Sequence, residues 1–139
     1  MSNVFESLEL FSDFNEKQIK AIFKLGERKI IDTDEFLFKE GEYSEGLYII
    51  LGGKLSTRYN GIKKYFTAGA MFSILSLVNN SKHKLTIKSE QKSQYFQLTK
   101  EHYNKLKESS PKFALKLQEA IIKNYLQKTE KLEKIFLEN

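Results

Sequence analysis

The sequence predicts a mainly β domain with helices at both ends, an antiparallel β-roll of the jelly-roll type. Short segments of alternating apolar and polar residues follow one another between residues 29 and 98. Glycines stand where an antiparallel chain has to change direction, at Gly41, Gly53 and Gly69. Residues 112–139 contain neither glycine nor proline, as expected of one long helix.

Length and composition indicate one soluble domain. The 139 residues are enough to bury a core, and 40% apolar with 29% charged residues is ordinary for a globular protein. The longest fully apolar run, residues 47–51, is too short to span a bilayer, and Glu6 and Glu9 stand where a signal peptide would be basic. There are no cysteines. We therefore expect a cytoplasmic domain over residues 1–139, with N-terminal helices at 3–26, a β-roll at 27–98 and C-terminal helices at 99–139.

The positive net charge of +5 comes mainly from lysine. Only Arg28 and Arg58 among the 23 basic residues are arginines, and arginine is the usual reader of bases and phosphates. We favour a solvated, lysine-rich surface over a nucleic-acid interface.

The N-terminal segment predicts two short helices. Apolar residues at helical spacing indicate the first helix near residues 4–8. Asn15 followed by Gln18 predicts an N-cap with a capping box, and Gly26 fits the C-cap of the same helix.

The β-forming segments are short and bounded by turn residues. Asn60-Gly61 predicts a two-residue hairpin with a type I′ turn. Residues 47–51 are apolar throughout, so this strand is expected to be buried on both faces. The predicted strands cover residues 30–31, 36–38, 47–51, 55–59, 62–66, 71–72, 85–87 and 95–98.

Residues 69–87 (GAMFSILSLVNNSKHKLTI) read as strand, short helix, turn and strand. The first backbone N–H groups of such a helix lack intrahelical partners, which suits an anion. Ser73 is expected either to cap this helix or to intrude with its Cβ on the anion. Lys82, His83 and Lys84 form a basic triplet after the turn.

This unit resembles the phosphate-binding cassette of cyclic-nucleotide-binding domains, and we call residues 69–87 the cassette. The family pattern F-G-E-L-A-L, a six-residue gap and R-A-A-T-V aligns with residues 72–77 and 83–87 without insertion. A second family pattern, G-E-x-I-F-x-E-G and then L-Y-x-I-L-x-G-x-V, is similar to residues 34–41 and 47–55, with Asp34 in place of the first glycine. The resemblance covers nearly the whole chain.

The resemblance implies a β-roll that binds cAMP or cGMP, but two positions depart from it. The family's ribose-binding Glu falls on Ile74, and its phosphate-binding Arg falls on His83. Either His83 contacts an anion when protonated, or it is a surface turn residue. Thr86 matches the family's hydroxyl position. The implied ligand-binding residues are Phe72, Ser73, Ile74, Leu75, His83, Lys84, Leu85 and Thr86.

The last segment starts at Pro111 and carries an apolar heptad pattern that predicts a homodimer helix. The alternative is that this stripe packs on the chain's own roll. A second flank with Ala120, Ile121 and Leu126 is expected to face the roll. The dimer seam is expected to comprise Leu115, Ile122, Tyr125, Thr129, Leu132 and Phe136.

Together these patterns predict a stand-alone regulatory sensor module with weak or lost cAMP and cGMP binding, or with an altered ligand. A ligand-independent interaction or dimerisation module is the alternative. The chain ends where family transcription factors continue into a helix-turn-helix, so we expect no DNA-binding domain. His83 and His102 are the only histidines, and no catalytic grouping stands out, so we expect no enzyme activity, metal or cofactor.

Overall fold

The computed structural model describes the backbone of residues 3–138 and the side-chain environment of residues 4–128. Within that range, helices precede and follow a β-roll along the chain, as predicted. The helices are α1 (Asn3–Ser7), α2 (Glu16–Leu25), α3 (Lys100–Ser109) and α4 (Pro111–Glu138), with 3-10 turns at Glu9–Phe11 and Ile74–Leu77. The strands are β1 (Glu27–Ile31), β2 (Phe36–Phe38), β3 (Gly46–Gly52), β4 (Leu55–Tyr59), β5 (Ile62–Phe66), β6 (Met71–Phe72), β7 (Ile87–Ser89) and β8 (Ser93–Thr99).

The roll consists of two four-stranded antiparallel sheets. The first has the strand order β1-β8-β3-β6 and the second the order β2-β7-β4-β5. The chain crosses between sheets after β1, β2, β3, β5, β6 and β7, which places residues far apart in sequence side by side. The cassette lies where β6 of the first sheet leads towards β7 of the second.

Strand β3 is buried on both faces, as its apolar sequence predicted. Leu47 and Ile49 pack with the helices, whereas Tyr48 and Ile50 face the interior of the roll. The first set belongs to a large cluster between the helices and the first sheet, here called the helix–sheet core. The second set belongs to a smaller cluster between the two sheets, here called the roll core.

Aromatic rings dominate the helix–sheet core. The Phe5 ring centroid lies 4.9 Å from that of Phe96 and 5.4 Å from those of Phe11 and Phe23. These contacts anchor the N-terminal helices to strand β8. Edge-to-face and stacked rings at such distances add to the free energy gained from burial.

Capping side chains define the helix starts. Asn15 accepts a hydrogen bond from the Gln18 backbone N–H at 2.8 Å and the Gln18 side chain accepts one from the Asn15 N–H at 3.0 Å, which confirms the predicted capping box. Thr99 and His102 form a similar pair at the start of α3. Gly26 is the C-cap of α2, as predicted.

The predicted corners have the left-handed backbone that their residues favour. Asn60 and Gly61 both have positive φ, which confirms the type I′ hairpin between β4 and β5. Asp34 has φ of 67° and so takes the role of the family's glycine. Gly53 has φ of 101°, and a Cβ there would lie 2.1 Å from the Ser93 Oγ. Glycine is thus required at this corner by both conformation and space.

One flank of α4 packs against the roll. Ala114, Leu117, Ile121 and Asn124 are buried on it, whereas Leu126, expected on this flank, is exposed. Leu126 lies five residues after Ile121 and therefore on another side of the helix. No described helix has the length and apolar character needed to cross a membrane.

Candidate functional site

Backbone hydrogen bonds hold the cassette against the turn that follows β2. The His83 N–H donates to the Glu42 carbonyl at 2.8 Å, and the Gly41 N–H donates to the His83 carbonyl at 3.0 Å. The Ser44 N–H donates to the Ser81 carbonyl at 2.9 Å. The loop of the cassette therefore has a fixed position although its sequence is polar.

A cavity of about 460 Å³ opens between the cassette, strand β2 and helix α4. Its size falls within the usual range for small-molecule sites. The lining residues are Phe38, Phe72, Ser73, Ile74, Leu75, Ser76, Asn79, Ser81, Lys82, Lys84, Leu85 and Tyr125. Of the eight predicted ligand residues, the cavity brings together six and leaves out His83 and Thr86.

Ser73 connects the two halves of the cassette. Its backbone is left-handed, with φ of 59°, and its hydroxyl lies 2.8 Å from the His83 Nδ1. The Ser73 side chain makes no capping hydrogen bond to the following 3-10 turn, so the predicted cap is wrong. The bond to His83 occupies the hydroxyl instead.

His83 is buried, which makes its interpretation as a surface turn residue wrong. Its imidazole stacks on the Phe38 ring with centroids 3.6 Å apart and an interplanar angle of 4°, and the residue is only 4% exposed. Burial lowers the pKa of His83, while Glu42 and Glu45 act in the opposite direction. The imidazole thus forms part of the packing behind the cavity.

Ile74 and Thr86, two further positions compared with the family pattern, also make contacts within the protein. Ile74 is 9% exposed and packs into the helix–sheet core while lining the cavity. The Thr86 Oγ1 accepts a hydrogen bond from the Glu40 N–H at 2.9 Å. Neither position offers a charged group to a ligand.

The cationic groups at the cavity are lysines. Lys82 and Lys84 are exposed, and among the described residues no carboxylate forms an ion pair with either. The Lys82 ammonium lies 5.0 Å from the centre of the Tyr43 ring. The short helix is a single 3-10 turn, Ile74–Leu77, so the two lysines are the main attraction for an anion.

A comparison with protein families supports the fold described above. The family described as "Cyclic nucleotide-binding domain" matches residues 28–110, more than half of the chain. The chain belongs to this family. A comparison with curated proteins finds no match.

Several solved structures share the fold. The N-terminal domain of a transcriptional regulator from Streptomyces coelicolor A3(2) superposes with a TM-score of 0.76 at 16% identity, covering 93% of this chain and 94% of that one. A cyclic nucleotide-binding domain from Methylobacillus flagellatus KT gives 0.73 at 16% identity, covering 99% and 85%. The PKAR CBD2 domain with Sp-2Cl-cAMPS bound gives 0.69 at 18% identity, covering 96% and 88%.

A second cavity of about 480 Å³ adjoins the first in this cyclic-nucleotide-binding domain. Phe72 and Leu85 line both cavities, so these two side chains form the wall between them. The second cavity is lined by the inner face of the β4–β5 hairpin, including Thr57. The Thr57 Oγ1 is buried without a hydrogen-bond partner among the described residues.

The predicted ligand set omits six residues that line the first cavity: Asn79, Ser81 and Lys82 of the cassette loop, together with Phe38, Ser76 and Tyr125. Of the last three, Phe38 lies on β2 and Tyr125 on α4. Only Ser76 among these three had a local signal, because its hydroxyl stands where the family pattern has Ala. Tyr125 had been assigned to the dimer seam, and its 43% exposure leaves room for both contacts.

Among the described residues, no cluster of three or more His, Cys, Asp or Glu side chains is placed to hold a metal ion. The side chains around the first cavity can bind an anion and apolar groups.

Proposed function

We propose that this chain is a regulatory sensor module that binds cAMP and cGMP weakly and whose cavity takes a different ligand. The observation that carries the proposal is the burial of Ile74 and His83 in protein packing. At these positions the family pattern has the Glu and Arg that recognise ribose and phosphate. The open cavity beside them supports a retained ligand site.

The expected loss of affinity follows from the two missing contacts. Charge-assisted hydrogen bonds contribute roughly 1.5–3 kcal/mol each, so losing both costs roughly 3–6 kcal/mol. That corresponds to about two to four decades in the dissociation constant. From a micromolar starting point, the dissociation constant for cAMP becomes about 0.1–10 mM. Lys82 and Lys84 lend charge but lack the bidentate geometry of arginine.

The test is calorimetric titration of cAMP and cGMP into the wild type and into the double variant Ile74→Glu/His83→Arg. The wild type is expected to bind in the range of about 0.1–10 mM, and the double variant at least about tenfold more tightly. The single variant Ile74→Glu is the control for ribose recognition alone. Micromolar binding of cAMP by the wild type would contradict the proposal.

We also propose that the domain forms a homodimer through α4. Leu115, Ile122 and Tyr125 are exposed large apolar side chains on this helix, and exposed Leu126 lies beside them. Such a row on a folded domain is typical of a protein contact. The side chains of Thr129, Leu132 and Phe136, which continue the predicted seam, lie outside the described residues.

Light scattering at tens of micromolar tests the dimer. Ile122→Glu and Leu132→Glu are expected to shift the wild-type dimer to monomer, because each buries a charge in the contact. Asn104→Glu, at an exposed position of α3, adds the same charge away from the seam and should leave the dimer intact. A monomeric wild type would refute the assembly.

The alternative function is a ligand-independent interaction module, favoured by the same exposed row on α4. A wild type that dimerises but binds no small molecule in thermal-shift and calorimetric screens would support it. In either case we propose that the domain acts without catalysis, in the cytoplasm.

A further inference from the structure

The charged residues that line the first cavity all carry positive charge. Lys82 and Lys84 are among its lining residues, and none of the described lining residues is acidic. Two ammonium groups that pair with no carboxylate of the described residues attract an anionic ligand. Both are exposed and lie on one short stretch of the cassette loop, which places the anionic end of a ligand at the mouth of the cavity.

One part of the lining is an apolar wall that suits a hydrocarbon group. Five of the twelve lining residues are large and apolar: Phe38, Phe72, Ile74, Leu75 and Leu85. Ile74 presents a branched alkyl group where a sugar ligand would need a carboxylate partner. A ligand rich in hydroxyls would lose hydrogen bonds to water against this wall without replacing them.

One polar group inside the cavity wall lacks a partner. Ser76 is 1% exposed, lines the cavity, and its Oγ has no hydrogen-bond partner among the described residues. A buried hydroxyl in this state is unfavourable, because it has lost its hydrogen bonds to water without replacing them. A single polar group on a bound ligand would satisfy it once a change of rotamer turns the hydroxyl towards the cavity.

We propose that this cavity binds an amphipathic organic carboxylate, with the carboxylate at Lys82 and Lys84 and an apolar aliphatic or aromatic body against Phe72 and Ile74. The body carries one hydrogen-bonding group at the level of Ser76. This inference rests on the proposed function, because it names the ligand class of the same sensor site.

The test compares carboxylates with their neutral amides of the same shape. Octanoate and benzoate, each beside octanamide and benzamide, are titrated into the wild type by calorimetry at fixed ionic strength. At least one carboxylate is expected to bind about tenfold more tightly than its amide, since two exposed ion pairs supply that much together. Equal affinities of both carboxylates and their amides would overturn the proposal.

Variants that remove charge test whether Lys82 and Lys84 cause the preference for carboxylates over amides. Lys82→Gln/Lys84→Gln is expected to reduce the carboxylate-to-amide ratio to about one, and Ile74→Glu to lower the affinity for the carboxylate. Lys92→Gln/Lys105→Gln removes two exposed lysines that do not line the cavity, and it should keep the wild-type ratio. If the control lowers the ratio as much, only the net charge matters and the site is refuted.

Ser76 is tested with the three hydroxybenzoates. The best isomer is expected to bind the wild type several-fold more tightly than benzoate, and Ser76→Ala should abolish that advantage. If no isomer exceeds benzoate, Ser76 has no part in the site.

Titration of cAMP in the same experiment distinguishes failure of the proposed function from failure of the proposed ligand class. Micromolar cAMP binding overturns the proposed function. Weak cAMP binding together with carboxylates that bind no better than amides overturns the ligand class alone.

Discussion

The two faces of the first sheet are packed very differently. On the helix side, Phe5, Phe96 and Leu117 belong to a continuous apolar core without exposure to solvent. On the roll side, two cavities border the smaller core, and the Thr57 hydroxyl is buried without a hydrogen-bond partner among the described residues. The larger apolar core thus lies between the helices and the first sheet, and the two cavities border the smaller roll core.

Leucine truncations on the two sides test this difference most strongly. Leu117→Ala in the helix–sheet core is expected to lower the free energy of unfolding by about 2–5 kcal/mol, because it opens a cavity in dense packing. Leu85→Ala is the matched change beside existing cavities and should cost about 1 kcal/mol. Urea unfolding followed by circular dichroism measures both, and equal losses would contradict the contrast.

The next largest loss of stability is expected from alanine substitutions at two corner glycines. Gly53→Ala is expected to cost about 1–3 kcal/mol or more, since the left-handed backbone is strained and Ser93 fills the space of the new Cβ. Gly41 has a similar φ of 88°, but a Cβ there would meet no described residue within 4 Å apart from its chain neighbours, so Gly41→Ala has only the conformational cost. A thermal-unfolding experiment in which Gly41→Ala is the more damaging change would exclude this account of the corners.

The patterns that predicted the roll were local, which is why they succeeded. Asn60-Gly61, the corner glycines and the Asn15 cap each depend on a few neighbouring residues. His83 could not be placed from sequence, because its burial results from stacking on Phe38, 45 positions earlier. Likewise the heptad pattern of α4 contains two adjacent apolar rows, and only packing decides that the row with Leu117 faces the roll.

His83 predicts a pH dependence of stability on the roll side. Burial lowers its pKa in the folded state, so the unfolded chain binds the proton more readily. The contribution of neutral His83 to the free energy of unfolding should therefore be fully present above about pH 6.5. It should decline as the pH falls through that value. His83→Phe keeps a ring on Phe38 without a titrating group, and its melting temperature should vary less between pH 7.5 and 5. Unchanged pH dependence in the variant would show that His83 does not contribute.

The smallest expected effect is a difference in stability between valine variants of two threonines of the roll. Thr57→Val removes a hydroxyl without a partner and should leave stability unchanged or raise it by about 1 kcal/mol. Thr86→Val removes the acceptor for the Glu40 N–H and should lower stability by about 0.5–1.5 kcal/mol. Chemical denaturation of both variants decides, and the opposite order would mean that the Thr57 hydroxyl is satisfied in solution.

We propose that the cassette keeps its cavity but has lost tight recognition of cyclic nucleotides. Amide chemical shifts of the wild type, recorded while cAMP is added up to about 10 mM, test it most directly. We expect gradual shifts confined to residues near the cavity, with a dissociation constant of about 0.1–10 mM. Saturation at micromolar cAMP, with large shifts at Ile74 and His83, would contradict the claim.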